Sequence, residues 1–190
     1  MEGMKRYPDK YFDLAVVDPP YGIGISKNPF RQKQIKKDWD SGVPDASYFT
    51  GLLSISKNQI VWGGNYFPLH PSQGFIIWDK IQPETFSSSM CEYAWSSFQS
   101  PAKMFRLHVV TAENNKIHPT QKPVKLYEWI LLNYAKPGDK ILDTHVGSGS
   151  SRIAAYKHGF DYVGFEIDKD YFEAQEKRFN DFKAQQTFDF

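Results

Sequence analysis

Lys140–Asp143 reads as a short buried strand, and the small-residue run Thr144-His145-Val146-Gly147-Ser148-Gly149-Ser150-Ser151 follows it directly. Residues 152–158 then read as a helix that ends at Gly159, a residue suited to a C-cap. The stretch Asp161-Tyr162-Val163-Gly164-Phe165-Glu166 reads as the next strand and ends in an acid 17 residues beyond Gly149. No other feature limits the fold as much. Strand, glycine bend, helix and strand make a parallel unit, with a ligand cleft at the carboxyl end of its first strand. Glycines let backbone approach a ligand where a Cβ would prevent it. An acid at the end of the second strand can accept both hydroxyls of a ribose. The candidate ligand residues here are Asp143, Thr144, Val146, Gly147, Ser148, Gly149, Glu166 and Ile167. A plain turn would use the same glycines; it is Glu166 that points to a nucleoside-containing ligand.

A second block, Asp18-Pro19-Pro20-Tyr21, ends the apolar run Leu14-Ala15-Val16-Val17. Two consecutive prolines lock two φ angles and remove two backbone N–H groups, so the turn offers carbonyl oxygens without competing donors. An ionised Asp18 beside them only accepts hydrogen bonds. Such a pair of acceptors suits an –NH2 group whose two hydrogens must be held, and the Tyr21 ring could stack on a flat base. A strand followed by a proline turn, with Asp18 as a cap, is the alternative.

The third block is Ile117-His118-Pro119-Thr120-Gln121-Lys122-Pro123-Val124-Lys125-Leu126. Pro123 suits a first helical turn, and Leu126, Trp129, Ile130 and Asn133 follow at helical spacing. Thr120 and Lys122 thus precede a helix start, where donors converge on an anion. An ordinary loop entering a helix has the same look.

Taken in order, D-P-P-Y, H-P-T-x-K-P, G-S-G and G-F-E-I-D resemble the permuted β-type amino-methyltransferases of bacteria and phages. Those enzymes methylate exocyclic amino groups of DNA bases, and the resemblance covers nearly all of residues 11–183. It implies a doubly wound, mostly parallel α/β sheet of the Rossmann-like, S-adenosylmethionine-dependent type, as one domain over 1–190. It implies S-adenosylmethionine as cofactor, and the absent third glycine of the dinucleotide fingerprint argues against NAD. His118, Thr120 and Lys122 would sit at the methionine end, with Thr120 and Lys122 on its carboxylate. Asp18, Pro19, Pro20 and Tyr21 would be catalytic, with Asp18 also beside the cofactor. Within the family an Asp in first position goes more often with adenine-N6 and a Ser with cytosine-N4, so adenine is expected. Cytosine-N4 and a catalytically silent subunit are the alternatives.

Composition agrees. The 190 residues, 41% apolar, can bury one ordinary core. The single cysteine, Cys91, permits no disulfide within the chain, which fits a reducing cytoplasm. No apolar run reaches the length of a membrane span, and no metal-ligand pattern stands out. Net charge is only +1, but Lys27, Arg31, Lys33, Lys36 and Lys37 fall within eleven residues that contain no acid. They begin six residues after Tyr21 and could neutralise phosphates of double-stranded DNA. Strands are expected over 13–17, 59–62, 75–78, 93–98, 140–143 and 162–165, with one antiparallel strand near an edge. Trp78-Asp79-Lys80 and Trp95 are expected to support the sheet rather than bind a base, and Asn65 or Tyr66 either touches substrate or serves the turn.

Two departures from the family stand out. Relatives usually carry a strand just before the segment that opens this chain, so the strand flanking the adenine could be missing. The recognition segment, 99–116, is short; Lys103, Arg106 and His108 could contact DNA there. So small a platform implies a short or relaxed target, or help from a second subunit in a homodimer.

Overall fold

The computed structural model describes residues 2–24, 40–86, 88–108 and 116–186. Seven strands form one sheet: β1 (Phe12–Val17), β2 (Ser56–Trp62), β3 (Phe75–Asp79), β4 (Cys91–Ser96), β5 (Lys103–Arg106), β6 (Lys140–Asp143) and β7 (Asp161–Gly164). Their order is β5-β3-β4-β2-β1-β6-β7. Neighbours are parallel except where β4 pairs with β2 and β3.

The central strands are apolar at nearly every position because both faces of the sheet are covered. On one face, Leu14, Val16, Ile60, Trp62 and Ile141 pack against helices α2 (Val124–Tyr134) and α3 (Ser150–Lys157). On the other, Ala15, Val17, Val61 and Leu142 pack against α1 (Ala46–Ile55), which buries Tyr48, Phe49, Leu52 and Ile55. Asp45 starts α1 by accepting from the N–H groups of Ser47 (2.8 Å) and Tyr48 (3.2 Å), an N-cap that typically stabilises by about 1 kcal/mol. The last helix, α4 (Lys169–Gln186), contacts α3. This is the doubly wound fold expected from the sequence, with its antiparallel strand third from the β5 edge.

Two expectations need correction. Among the described residues there are seven strands, not six: Lys103–Arg106 pairs with β3 (Ile76↔Lys103, Asp79↔Arg106) inside the segment expected to be a recognition insert. The strand expected over 93–98 runs from Cys91 to Ser96, because pairing with β3 starts at Asp79↔Cys91. In α2 the buried positions are Leu126, Tyr127, Ile130 and Leu131, whereas Asn133 is exposed and donates to the Trp129 carbonyl (2.8 Å). The helix meets the sheet on a wider stripe than the proline-anchored spacing suggests. Among the described residues, no helix is long and apolar enough to cross a membrane.

Candidate active site

Chain direction puts the site where it is. From β1 the chain crosses to β2 on one side, and from β6 it crosses to β7 on the other. Between β1 and β6 the winding reverses, and in open α/β sheets a crevice opens at such a switch point beyond the carboxyl ends of the strands. Leu14↔Ile141 and Ala15↔Leu142 set the register, so Asp18 and the bend after Asp143 leave adjacent strands on the same edge. The two sequence blocks, over a hundred residues apart, therefore meet.

The glycine bend is built for close approach. Gly147 (φ +52°) and Gly149 (φ +76°) take left-handed backbone, which costs other residues about 1–2 kcal/mol. The Glu166 carboxylate reaches back from β7, with Oε2 accepting from Gly147 N–H (2.8 Å) and Oε1 from Asp168 N–H (2.9 Å). Each oxygen keeps a further lone pair for a hydroxyl. His118 lies against Gly147 and rings with Tyr171 at 4.4 Å, which brings the third block to the bend. Its Nδ1 accepts from Thr120 N–H (3.3 Å) and stands 3.1 Å from Thr120 Oγ1. Thr144 Oγ1 is shared with Tyr48 Oη (2.6 Å) and His145 Nδ1 (2.9 Å). Val146 is turned inward and fills the space over Gly164, where a Cβ would come within 2.5 Å of it. Ser148 is buried, and its carbonyl accepts from Arg178 (2.6 Å). Ile167, in contrast, is wholly exposed.

Arg178 ties α4 to the glycine bend, and Glu176 pairs with Arg152 of α3.

Asp143, at the end of β6, is buried. It accepts from Ser151 Oγ (2.6 Å) and His145 N–H (2.9 Å). Burial pushes its carboxyl up to about 7 despite those two donors. The folded state thus holds a proton between pH 4 and 7 that the unfolded chain has released, so rising pH costs stability there. The slope is at most about 1.4 kcal/mol per pH unit. Burial pulls His145 down to about 4, with the opposite sense: its contribution is lost as pH falls from about 6.5 towards 4. Comparison with a variant isolates Asp143. Relative to Asp143→Asn, the parent should lose stability steadily from pH 4 to 7 and no further above 7, measured by urea unfolding across that range. A pH-independent difference would contradict this account.

Around Asp18 the electrostatics are dense. Its Oδ1 accepts from Tyr21 Oη (2.6 Å), and its Oδ2 pairs with the ammonium of Lys122. Lys122 is buried and also reaches Glu92 Oε2 (3.2 Å), while Glu92 Oε1 pairs with Lys80 (2.8 Å). Burial pulls Lys122 down, but Asp18 and Glu92 more than offset it and its pKa lies above the ordinary lysine value. Burial pushes Glu92 up, yet Lys122 and Lys80 bring it down to about 2. Lys122, expected to hold a ligand carboxylate, is paired in this structure with Asp18 and Glu92.

Pro19 is buried, whereas Pro20 and Tyr21 are half-buried. The Tyr21 ring is already stacked, lying 5.1 Å from Tyr66 at an interplanar angle of 14°. Tyr66 is 46% exposed and carries the outer face of this pair. Gly63 makes the arrangement possible, because a Cβ there would fall 2.3 Å from Tyr21 Cε1 and its φ is +66°. Gly63→Ala should therefore destabilise the protein by about 2–4 kcal/mol, read as a shift in urea midpoint at constant slope. An unchanged midpoint would show that the ring moves freely.

Of the expected DNA contacts, Lys27, Arg31, Lys33, Lys36 and Lys37 lie outside the described residues. Lys103 does not lie beside the Asp18 turn. It opens β5 at the amino edge of the sheet, away from Asp18, donates to Asn133 Oδ1 (2.9 Å) and lies over the Tyr134 ring. Arg106 closes β5 on the site's edge and pairs with Asp79 (3.2 Å). Sequence reasoning missed Glu92, Lys80 and Tyr48. Glu92 lies one residue before the strand expected over 93–98, so only an acid bordering that strand could have signalled it. No group of three or more potential metal ligands occurs among the described residues.

Residues 61–177 match the family model for N6/N4 methyltransferases, described as DNA methylase. The chain is 24% identical over 233 residues to the type II methyltransferase M2.MboI of Moraxella bovis, spanning 94% of this chain and 84% of that one. A 61-residue stretch is 44% identical to M2.DpnII of Streptococcus pneumoniae, covering 32% of this chain and 23% of that protein. Among solved structures, the M1.HpyAVI–SAM complex superposes with a TM-score of 0.60 at 18% identity, over 94% of this chain and 92% of that one. The cytosine-N4-specific PvuII DNA methyltransferase gives 0.62 at 13%, over 94% and 86%. These likenesses confirm the S-adenosylmethionine-dependent methyltransferase fold. With the matched segment running from the end of β2 through the first half of α4, the chain belongs to the N6/N4 DNA methylase family.

Proposed function

We propose that this protein transfers a methyl group from S-adenosylmethionine to the exocyclic amino group of a base extruded from double-stranded DNA, with adenine N6 as the target. The observation that carries this reading is the meeting of the Asp18 turn with the glycine bend at one switch point. The residues suit the cofactor. Left-handed Gly147 and Gly149 present backbone without Cβ atoms, and Glu166 offers a carboxylate to ribose hydroxyls. When bound, S-adenosylmethionine supplies an electrophilic methyl group on a sulfonium.

The chain's own residues do the rest. Extrusion of the nucleotide costs a few kcal/mol and removes the amino group from its pair. Tyr66, on the exposed side of the aromatic pair, and Tyr21 beneath it offer a stacking shelf for the base. Asp18 and the Pro19 carbonyl accept the two amino hydrogens, which localises the lone pair on nitrogen. Lys122 and Tyr21 fix the Asp18 carboxylate beforehand, so no reorganisation is needed when charge develops. The methylated nitrogen, briefly ammonium-like, is acidic enough to lose its proton without a strong base.

Incubation with tritiated cofactor and unmethylated DNA, followed by nucleoside mass spectrometry, tests the proposal. N6-methyladenine is expected. N4-methylcytosine would move the target to the other base, and DNA binding without label would favour a silent subunit.

A further inference from the structure

Glu92 belongs to none of the three blocks, yet one ammonium group separates it from Asp18. The topology explains why. Because β4 runs against its neighbours, its first residues, not its last, lie at the edge where the parallel strands end. Glu92, opposite Trp78, is delivered to the site by that reversal.

Asp18, Lys122, Glu92 and Lys80 form a chain of alternating charge that sums to zero. Lys80 and Lys122 are buried, and the Glu92 side chain is 25% exposed. The three N–H donors of Lys122 face Asp18 Oδ2, Glu92 Oε2 and, at 3.4 Å, Tyr21 Oη. Two carboxylates therefore compete for one ammonium. Without Glu92, Lys122 would be free to settle wholly on Asp18.

We propose that Glu92 is a positioning residue for methyl transfer. It holds one side of the Lys122 ammonium and so leaves part of the Asp18 charge available to the target amino group. This rests on the function proposed above. Neutralising Glu92 would leave two lysines against one acid, a net positive site beside a nitrogen that turns cationic in the transition state. Neutralising Lys80 does the reverse and leaves the site net negative. The two variants must differ in sign, a pattern that loss of packing alone would not produce.

The test uses the full chain carrying Glu92→Gln, Glu92→Asp or Lys80→Met. Two quantities are measured: the Lys122 Nζ titration by nitrogen-15 NMR without DNA, assigned through Lys122→Arg, and kcat and KM on DNA. Glu92→Gln should lower the Lys122 midpoint by about one pH unit or more, since it loses one of two carboxylate partners. It should reduce kcat about 10- to 100-fold with KM within about twofold. Glu92→Asp should recover most of that kcat, and Lys80→Met should lower neither quantity. An unmoved Lys122 midpoint in Glu92→Gln, or equal losses of kcat in Glu92→Gln and Lys80→Met, would overturn the inference. Should Glu92→Gln not fold, a loss of kcat in Lys80→Met overturns it as well. A Lys122 midpoint that moves as expected in a protein that never labels DNA overturns the proposed function instead.

Discussion

Asp18→Ala is expected to lower the rate of methyl transfer by about 10³-fold or more while cofactor affinity changes by no more than a few-fold. Removing one preorganised electrostatic partner of a transition state typically costs about 10²–10³ in rate. In the proposed mechanism Asp18 holds the nucleophile itself, so its loss belongs at the upper end. The glycine bend and Glu166 have their own hydrogen bonds and do not depend on Asp18. The fold should survive, because Lys122 keeps Glu92 as an anion and Tyr21 keeps its stacking with Tyr66. Single-turnover rates and equilibrium cofactor titration separate the two effects. Unchanged turnover would remove Asp18 from the chemistry altogether.

Lys122→Met should have the largest effect on stability. It deletes the cation shared by Asp18 and Glu92 and leaves carboxylate charge in a partly dry site. Breaking a buried pair from one side typically costs about 3–5 kcal/mol, more than the pair itself contributes. For a chain of this size that corresponds to a fall in Tm of roughly 6–20 °C. The damage should be lopsided: Glu92 retains Lys80, so the repulsion falls mainly on Asp18. Adding Glu92→Gln to Lys122→Met is therefore expected to restore part of the lost stability. Calorimetry of the single and double variants decides the point, and a Tm within about 2 °C of the parent for Lys122→Met would refute the buried-pair account.

Much of this architecture was readable in the residues. β1, β6 and β7 are short runs bounded by turn residues, and the apolar runs of β1 and β6 are what two-sided burial demands. The bend between β6 and α3 announced itself because left-handed backbone nearly requires glycine at 147 and 149. β5 was hidden: four residues with lysine and arginine at its ends carry no alternation, and only pairing with β3 makes them a strand. The partners of Lys122 were hidden for a different reason. Motif order suggested an anion before α2, but which anion depends on a strand direction that local pattern does not encode. Glu92 and Lys80 come together across a hairpin, and such pairings are set by sheet register rather than by spacing along the chain.

The reversed strand puts two duties on separate parts of the sheet. The β3–β4 hairpin enters and leaves on one side and carries both Lys80 and Glu92. Under the proposed function, exchanging it for that of a relative would retune the speed of methylation while leaving cofactor capture, proposed for the opposite half of the sheet, untouched.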